Sequence, residues 1–374
     1  MSNSISNGRI SEHRAQSEAL HRDLTTHIRY LDNLVMLGTC GYSSLIRDDF
    51  YRLFRFPPQS RGRLLDAGCG TGVETTNFRR VSPDLSVHGV DLSEVALTEA
   101  VARPGNAGVT FHHAALEALP FAEGSFDFLS SHEVIEHLED PAIALGEFHR
   151  VLMPGGVCVI ATPNGGSLCI EHLRQRLARL RGRRGAPVGS DHVRPPSFWR
   201  RQFISAGFEV EAQIFDGAAL ELQTYVLPAA WMPALSRMLE PLRVLPVINW
   251  LICDRVKFRL RKPGRASVVT KGEPVSVCPI CRVGLKDEGG GTICGHRFTV
   301  NALGMTNFTA LADTRGKSPE PLDATVQASP LYRLWRRALT MTYVGFIVAL
   351  LPLGYVVGRI HAPFGRVDPQ KWMV

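Results

Sequence analysis

No internal repeat runs through the 374 residues, so the chain is not a solenoid or a propeller. Nor does an apolar leader open it. The first stretch, MSNSISNGRISEHRAQ, is polar and mixed in charge, and no secretory signal is expected there. A disulfide framework is missing too. Of eight cysteines, Cys40, Cys69, Cys158, Cys169 and Cys253 are scattered through apolar or turn segments, the usage of reduced intracellular thiols. Acidic residues are the minority charge: 35 Asp and Glu stand against 42 Lys and Arg, mostly arginine, for a net +7. That balance admits anionic partners such as phosphates, nucleic acid or lipid headgroups without choosing among them. What remains is an ordinary globular composition, 45% hydrophobic, enough for a sizeable core.

Composition shifts divide the chain. Residues 1–22 read as a disordered N-terminus and 23–262 as the main domain, with its core at 60–227. A Gly/Pro-rich linker (263–274) leads to a small cysteine-bearing module (275–310), a polar linker (311–329) and a hydrophobic tail (330–374). Apolar spacing predicts two helices between 24 and 56. Short apolar runs then alternate with helical stretches: strands at 63–67, 86–91, 109–114, 125–130 and 156–162, and helices near 73–80, 94–102 and 140–152. That alternation predicts an α/β fold, a parallel sheet with helices on both faces. GFEVEAQIF (207–215) reads as a further strand, with LELQTYVL (220–227) as its partner.

Leu64 to Gly72 reads LLDAGCGTG. Glycines that end a strand and open a helix let backbone N–H groups approach a ligand closely. A dinucleotide site wants G-x-G-x-x-G. Here Gly68, Gly70 and Gly72 are spaced G-x-G-x-G, with Asp66 before them and Cys69 between. That suits a cationic, amino-acid-bearing ligand better than a pyrophosphate. A second acid, Asp91 in HGVDLS, ends the next strand about twenty residues on, where a carboxylate can accept both hydroxyls of a ribose.

With VDLS, ALPFAEGSFD, EVIEHLEDP and LMPGGVCVIATPN following in that order, the chain resembles class I S-adenosylmethionine-dependent methyltransferases over about residues 60–215, most of all the subgroup with ubiquinone-biosynthesis O-methyltransferases. The resemblance implies a Rossmann-like seven-stranded sheet with S-adenosylmethionine at the ends of the first strands and substrate above it. It implies that Asp66, Gly68, Cys69, Gly70 and Gly72 hold the methionine end, Asp91 the ribose, and Leu92 the adenine face, while Leu116 offers backbone to the adenine and Glu133 borders the cofactor. One position departs. Where the family often has an acid for the adenine amino group, this chain has Ala115, so adenine recognition rests on backbone and packing.

SHEVIEHLEDP supplies the candidates for chemistry. Glu133, Glu136 and His137 stand at i, i+3 and i+4 and share one face if the segment is helical. By resemblance to ubiquinone and small-RNA 2′-O-methyltransferases they form a divalent (Mg2+) site; a downstream histidine completes it in the RNA enzymes, and SDHVRPPSFWRRQF offers His192 for that place. His137 as a metal-free general base, or a structural role, are the other readings. His112, His113 and His132 read as structural. Nine arginines between 172 and 201 grip a phosphate or form a solvated insertion; the few aromatics among them weigh against nucleic acid.

CPICRVGLKDEGGGTICGHRF holds a C-x-x-C, Cys278 and Cys281. Cys294 fits the second half of a ribbon pair, but Gly291 takes the first place, leaving His296 as the fourth ligand of a Cys3His zinc site, or else a degenerate ribbon without metal. This part resembles small zinc-ribbon proteins that partner methyltransferases. ALTMTYVGFIVALLPLGYVVG (338–358) is 21 residues without charge, long enough to cross a bilayer as a hydrophobic C-terminal helix or to fold as a buried hairpin. The stretch 228–262, ending in RVKFRLRKPGR, reads as amphipathic and fit to lie on an anionic membrane surface or to cover the site. The expected protein is a cytoplasmic, membrane-associated methyltransferase acting on a small or lipid-linked hydroxyl. An RNA 2′-O-methyltransferase and a non-catalytic cofactor-binding scaffold are the alternatives, and oligomeric state is not legible.

Overall fold

The computed structural model describes residues 50–56, 61–168 apart from 104 and 139, 193–216, 245–265 apart from 254, 274–285, and 296–309 apart from 297 and 302. The expectations for residues 1–49, the arginines between 172 and 184, His192, the strand at 220–227, Cys294 and the apolar run 338–358 lie outside the described residues.

Apolar runs become strands where the sequence places them. They are β1 (Gly62–Ala67), β2 (Leu85–Asp91), β3 (Thr110–His113), β4 (Phe126–His132) and β5 (Leu152–Pro163). All five pair in parallel along β5-β4-β1-β2-β3. β1 is buried on both faces, as a parallel strand must be when helices cover its sheet. The helices between them are α1 (Val73–Val81), α2 (Glu94–Ala102) and α3 (Pro141–Val151). Local chemistry sets their starts. The hydroxyl of Ser93 accepts from the amide of Ala96 ahead of α2, and Asp140 accepts from Ala142 at the head of α3, where Pro141 takes the first turn. α4 (Pro196–Ser205) leads to β6 (Glu209–Asp216), and α5 (Pro246–Ile252) leads to β7 (Arg255–Arg261).

Among the described residues the sheet has nine strands, not the expected seven, in the order β6-β7-β5-β4-β1-β2-β3-β9-β8. The extra two are β8 (Thr299–Val300) and β9 (Thr306–Asn307), which extend the β3 edge through the pair Asn307 and His113. The cysteine-bearing segment is therefore docked on the main sheet.

The second correction concerns 255–261. These residues do not lie on a membrane surface. They form β7, antiparallel between β5 and β6. RVKFRLR alternates with period two. Val256, Phe258 and Leu260 enter the core between the sheet and helices α3 and α4, beside Phe148, Trp199 and Phe203. Lys257 and Arg259 face the other side and are also buried. Arg259 pairs with Glu211 at 2.6 Å and donates to the carbonyls of Leu53 and Phe54, so it caps the helical residues 50–54. Those residues bring Phe50, Tyr51 and Phe54 against Phe78 of α1 and the second face of the sheet.

Candidate active site

The strand order reverses at β1: β2 and β3 lie to one side and β4 and β5 to the other. A crevice forms outside the carboxyl ends of strands at such a point, and ligands of open parallel sheets bind there. The glycine turn sits at that end of β1. Gly68, Gly70 and Gly72 have φ of 80°, 51° and 74°, a region where a side chain is strained. Space also excludes one at Gly68, where a Cβ would meet Val134 at 2.5 Å. The amides of Gly68 and Cys69 both donate to the carbonyl of Val90, tying the turn to the end of β2.

Asp66 is buried at the base of this turn. Its carboxylate accepts from the hydroxyl of Thr75 at 2.7 Å. Burial raises its pKa from 3.8 to about 7; the hydroxyls of Thr75 and Ser130 oppose the rise, and the acids Glu74 and Asp91 add to it. The charges acting on this carboxyl are thus other acids, an arrangement suited to an incoming cation. Asp91 ends β2 with one oxygen accepting from the amide of Gly70 and the other from that of Ser93, both at 2.8 Å. Each oxygen keeps a lone pair for a hydroxyl donor. Cys69 is buried among Leu97, Ala100 and Phe111, and burial pushes its thiol well up, so it is inert packing. Leu92 is buried beside the turn, and Leu116 opens the 3-10 turn Leu116–Ala118 just beyond β3.

Thr75, Ser130, Ser131 and Val134 belong to the site and were missed. The hydroxyl of Ser131 is buried without a hydrogen-bond partner among the described residues, at the same end of β4. The signal was the pair of adjacent serines, Ser130 and Ser131, near the end of the buried strand FDFLSSH.

Glu133, Glu136 and His137 do not share a helical face. Glu133 has φ of 56° and lies before a single 3-10 turn, Ile135–His137. The amide of Glu133 donates to Ala161, which keeps it in register with β5. Its carboxylate reaches toward Arg255 at 3.8 Å, while Glu136 turns inward, is 1% exposed and accepts from Thr162 at 3.0 Å. Burial, then the nearby Glu133 charge, hold the Glu136 carboxyl well above its ordinary range. Among the described residues, the potential metal ligands that converge are Cys278, Cys281 and His296; Glu133, Glu136 and His137 do not form such a group.

The three histidines read as structural are so placed. His113 is buried between the carbonyl of Leu92 and the side chain of Asn301. His112 stacks on His88 and is depressed to about pKa 3 by burial. His132 meets the ring of Phe50 edge-on.

Residues 65–160 match the family model described as a methyltransferase domain. A demethylmenaquinone methyltransferase of Chlorobaculum parvum is 33% identical over 134 residues, covering 36% of this chain and 54% of its own. A ubiquinone biosynthesis O-methyltransferase of Psychrobacter cryohalolentis is 36% identical over 107 residues, covering 27% of this chain and 41% of its own. The chain thus spans about half the length of the curated relatives it matches. A solved S-adenosylmethionine-dependent methyltransferase from Mesorhizobium loti aligns with a TM-score of 0.42 at 20% identity, over 57% of this chain and 96% of that one. Residues 65–160 thus match a methyltransferase domain, and they include the parallel strands and the glycine turn of the crevice.

Proposed function

We propose that this chain transfers the methyl group of S-adenosylmethionine to a hydroxyl on a small or lipid-linked acceptor. The observation that carries the reading is Asp66, a buried carboxyl with acids for neighbours, next to a turn open only to glycine and to Asp91. Asp66 would hold the amino end of the cofactor, the hydroxyls of its ribose would donate to Asp91, and Leu92 and Leu116 would border the adenine. The cofactor supplies the electrophilic methyl carbon.

The protein supplies placement. Holding an acceptor oxygen about 3–3.5 Å from the methyl carbon and in line with the breaking bond converts an encounter into a unimolecular step. The hydroxyl must also lose its proton. We assign that task to His137, half-buried on the turn after β4, without a metal. A carboxyl that burial holds well above its ordinary range, as at Glu136, is a weaker ligand for a hard cation than an ordinary carboxylate. Its work is to anchor the 135–137 turn to β5 through Thr162. Glu133 and Arg255 border the acceptor side of the crevice. We also propose zinc at Cys278, Cys281 and His296, with Cys294 offered by the sequence, in a module spanning 275–310. The lipid-linked acceptor and cytoplasmic membrane docking are supported by the uncharged run 338–358. Among the described residues no helix is long and apolar enough to cross a membrane.

The test is incubation of the purified chain with radiolabelled S-adenosylmethionine and separate lipid, small-molecule and RNA fractions, with and without EDTA. Label in the lipid or small-molecule fraction, unchanged when EDTA is added briefly, is the expected result. Label in RNA would replace the acceptor by a ribose 2′-hydroxyl. Bound cofactor without label in any fraction would turn the reading toward a binding scaffold.

A further inference from the structure

The ligand atoms of Cys278, Cys281 and His296 all lie within 4.8 Å of one another, and Cys278 Sγ stands 3.6 Å from His296 Nδ1. Tetrahedral zinc, with Zn–S of about 2.3 Å and Zn–N of about 2.0 Å, sets its ligands roughly 3.5–3.8 Å apart. The turn that carries the cysteines is built for chelation. The amide of Cys278 donates to Val283, that of Arg282 donates back to Cys278, and Arg282 takes φ of 62°, which folds the chain sharply after Cys281.

That turn does not stand apart from the cofactor crevice. Arg282, next in sequence to a ligand, donates to the carbonyl of Leu119 and to Glu147 Oε1, each at 2.9 Å. Glu147 is buried on α3, and its Oε2 accepts from the amide of Leu119. Arg150 donates to Glu147 and to the carbonyls of Leu119 and Phe121. On the other side of the turn, Val277 donates to Pro120 and Ala122 donates to Val275, with Phe121 bridged to Ser276. Both backbone groups of Leu119, and the segment through Ala122, are therefore held from the cysteine turn and from α3. This segment continues directly from Leu116–Ala118, which borders the adenine side of the crevice. Beyond the third ligand, Phe298 packs on Phe308, the amide of Phe308 donates to the carbonyl of His113, and Asn301 reaches the His113 ring.

From this geometry we infer that a zinc ion on Cys278, Cys281 and His296 clamps residues 116–122 and so governs cofactor affinity from outside the crevice. The metal joins two tethers, 275–285 and 296–309, that meet on the floor and on the edge of the adenine side. With the metal removed the tethers part, Arg282 loses its fixed turn, and the 116–122 backbone is held from α3 alone. The inference rests on the methyltransferase reading only for its effect on cofactor affinity; the clamp itself is independent of it.

The full chain as purified is expected to hold about one zinc, measured by elemental analysis. Stripping it with a thiol-compatible chelator should speed amide hydrogen exchange at Leu119 and Ala122 and raise the Kd for S-adenosylhomocysteine about tenfold, within the usual range for coupled sites. Added zinc should restore both. Because Cys278→Ser can weaken the whole module, Arg282→Ala serves as the second variant: it should keep its zinc, yet show the faster exchange and weaker binding. No zinc after metal-replete purification, or unchanged exchange at 116–122 in stripped chain that is still folded by circular dichroism, overturns the clamp. If exchange responds and Kd does not, the control of affinity is wrong. If the zinc-loaded chain binds no S-adenosylhomocysteine at all, the methyl-transfer reading fails while exchange still decides the clamp.

Discussion

Asp66 shows how a site can be destabilised to be functional. An ordinary aspartate ionises near 3.8, whereas Asp66 in the folded, unliganded chain keeps its proton up to about pH 7. Its folded pKa is raised, so its contribution to stability is complete below about pH 4 and falls as pH rises through 7. The ionised form holds the cationic end of the cofactor. Affinity for S-adenosylhomocysteine should therefore rise between pH 6 and about pH 8, and binding at the lower pH should release a proton, seen in calorimetry as a dependence on buffer ionisation heat. Asp66→Asn, neutral at every pH, should melt a few degrees higher than the parent at pH 8 without ligand and bind the cofactor at least a hundredfold more weakly. A melting point that drops at both pH 5 and pH 8 would show that the carboxyl is not strained. Glu136 is the contrasting acid. Since burial holds its carboxyl well above the ordinary range, Glu136→Gln should cost little stability at pH 7, while Glu136→Ala orphans the hydroxyl of Thr162 and should cost about 1–3 kcal/mol in urea unfolding.

At the scale of elements, β7 is the instructive case. Two of its cations, Lys257 and Arg259, do not face water. Arg259 crosses from the sheet to the carbonyls that end the helical residues 50–54, and Glu211 neutralises it. Arg259→Met should lose the cap and leave Glu211 without its nearest cation, a cost of about 2–3 kcal/mol by denaturant melts. A change under about 0.5 kcal/mol would mean that the hydrophobic cluster of Phe50, Phe54 and Phe78 holds that end unaided. The alternation in RVKFRLR was legible as a strand signal, but alternation says which residues share a face and not what covers it. The basic end of the amphipathic stretch 228–262 suggested an anionic membrane. The cover is a helical segment some two hundred residues earlier in the chain, and no local pattern reports that.

The whole molecule couples these parts. Ligand that binds only the folded chain stabilises it by about 2.7 kcal/mol at a hundredfold excess over Kd, so S-adenosylhomocysteine should raise the melting temperature clearly. Asp91→Ala should abolish that shift, because the carboxylate both orders Gly70 and Ser93 and offers its remaining lone pairs to the ribose. An undiminished shift would remove Asp91 from the site. The β3 edge matters at this scale as well. Without β9 and β8, the outer side of β3 would present unpaired backbone groups. In this chain the cysteine-bearing segment covers them and ties itself to the loop after β3 in doing so.

The sequence by itself determined the five parallel strands, the helices between them and the glycine turn with Asp66 and Asp91. Each is encoded locally, by burial runs of strand length, by caps such as Ser93 and Asp140, and by backbone angles that glycine alone adopts without strain. Only the tertiary structure decided the rest. Glu133 and Glu136 are three residues apart, yet one leans toward Arg255 and the other is buried against Thr162, because the chain leaves β4 through a left-handed residue and a single tight turn. Whether a carboxyl is a ligand, a base or a neutral anchor depends on its desolvation, and desolvation is set by strands distant in the chain. The same holds for β7 and for the docking of 275–309, whose partners become neighbours only once the sheet exists.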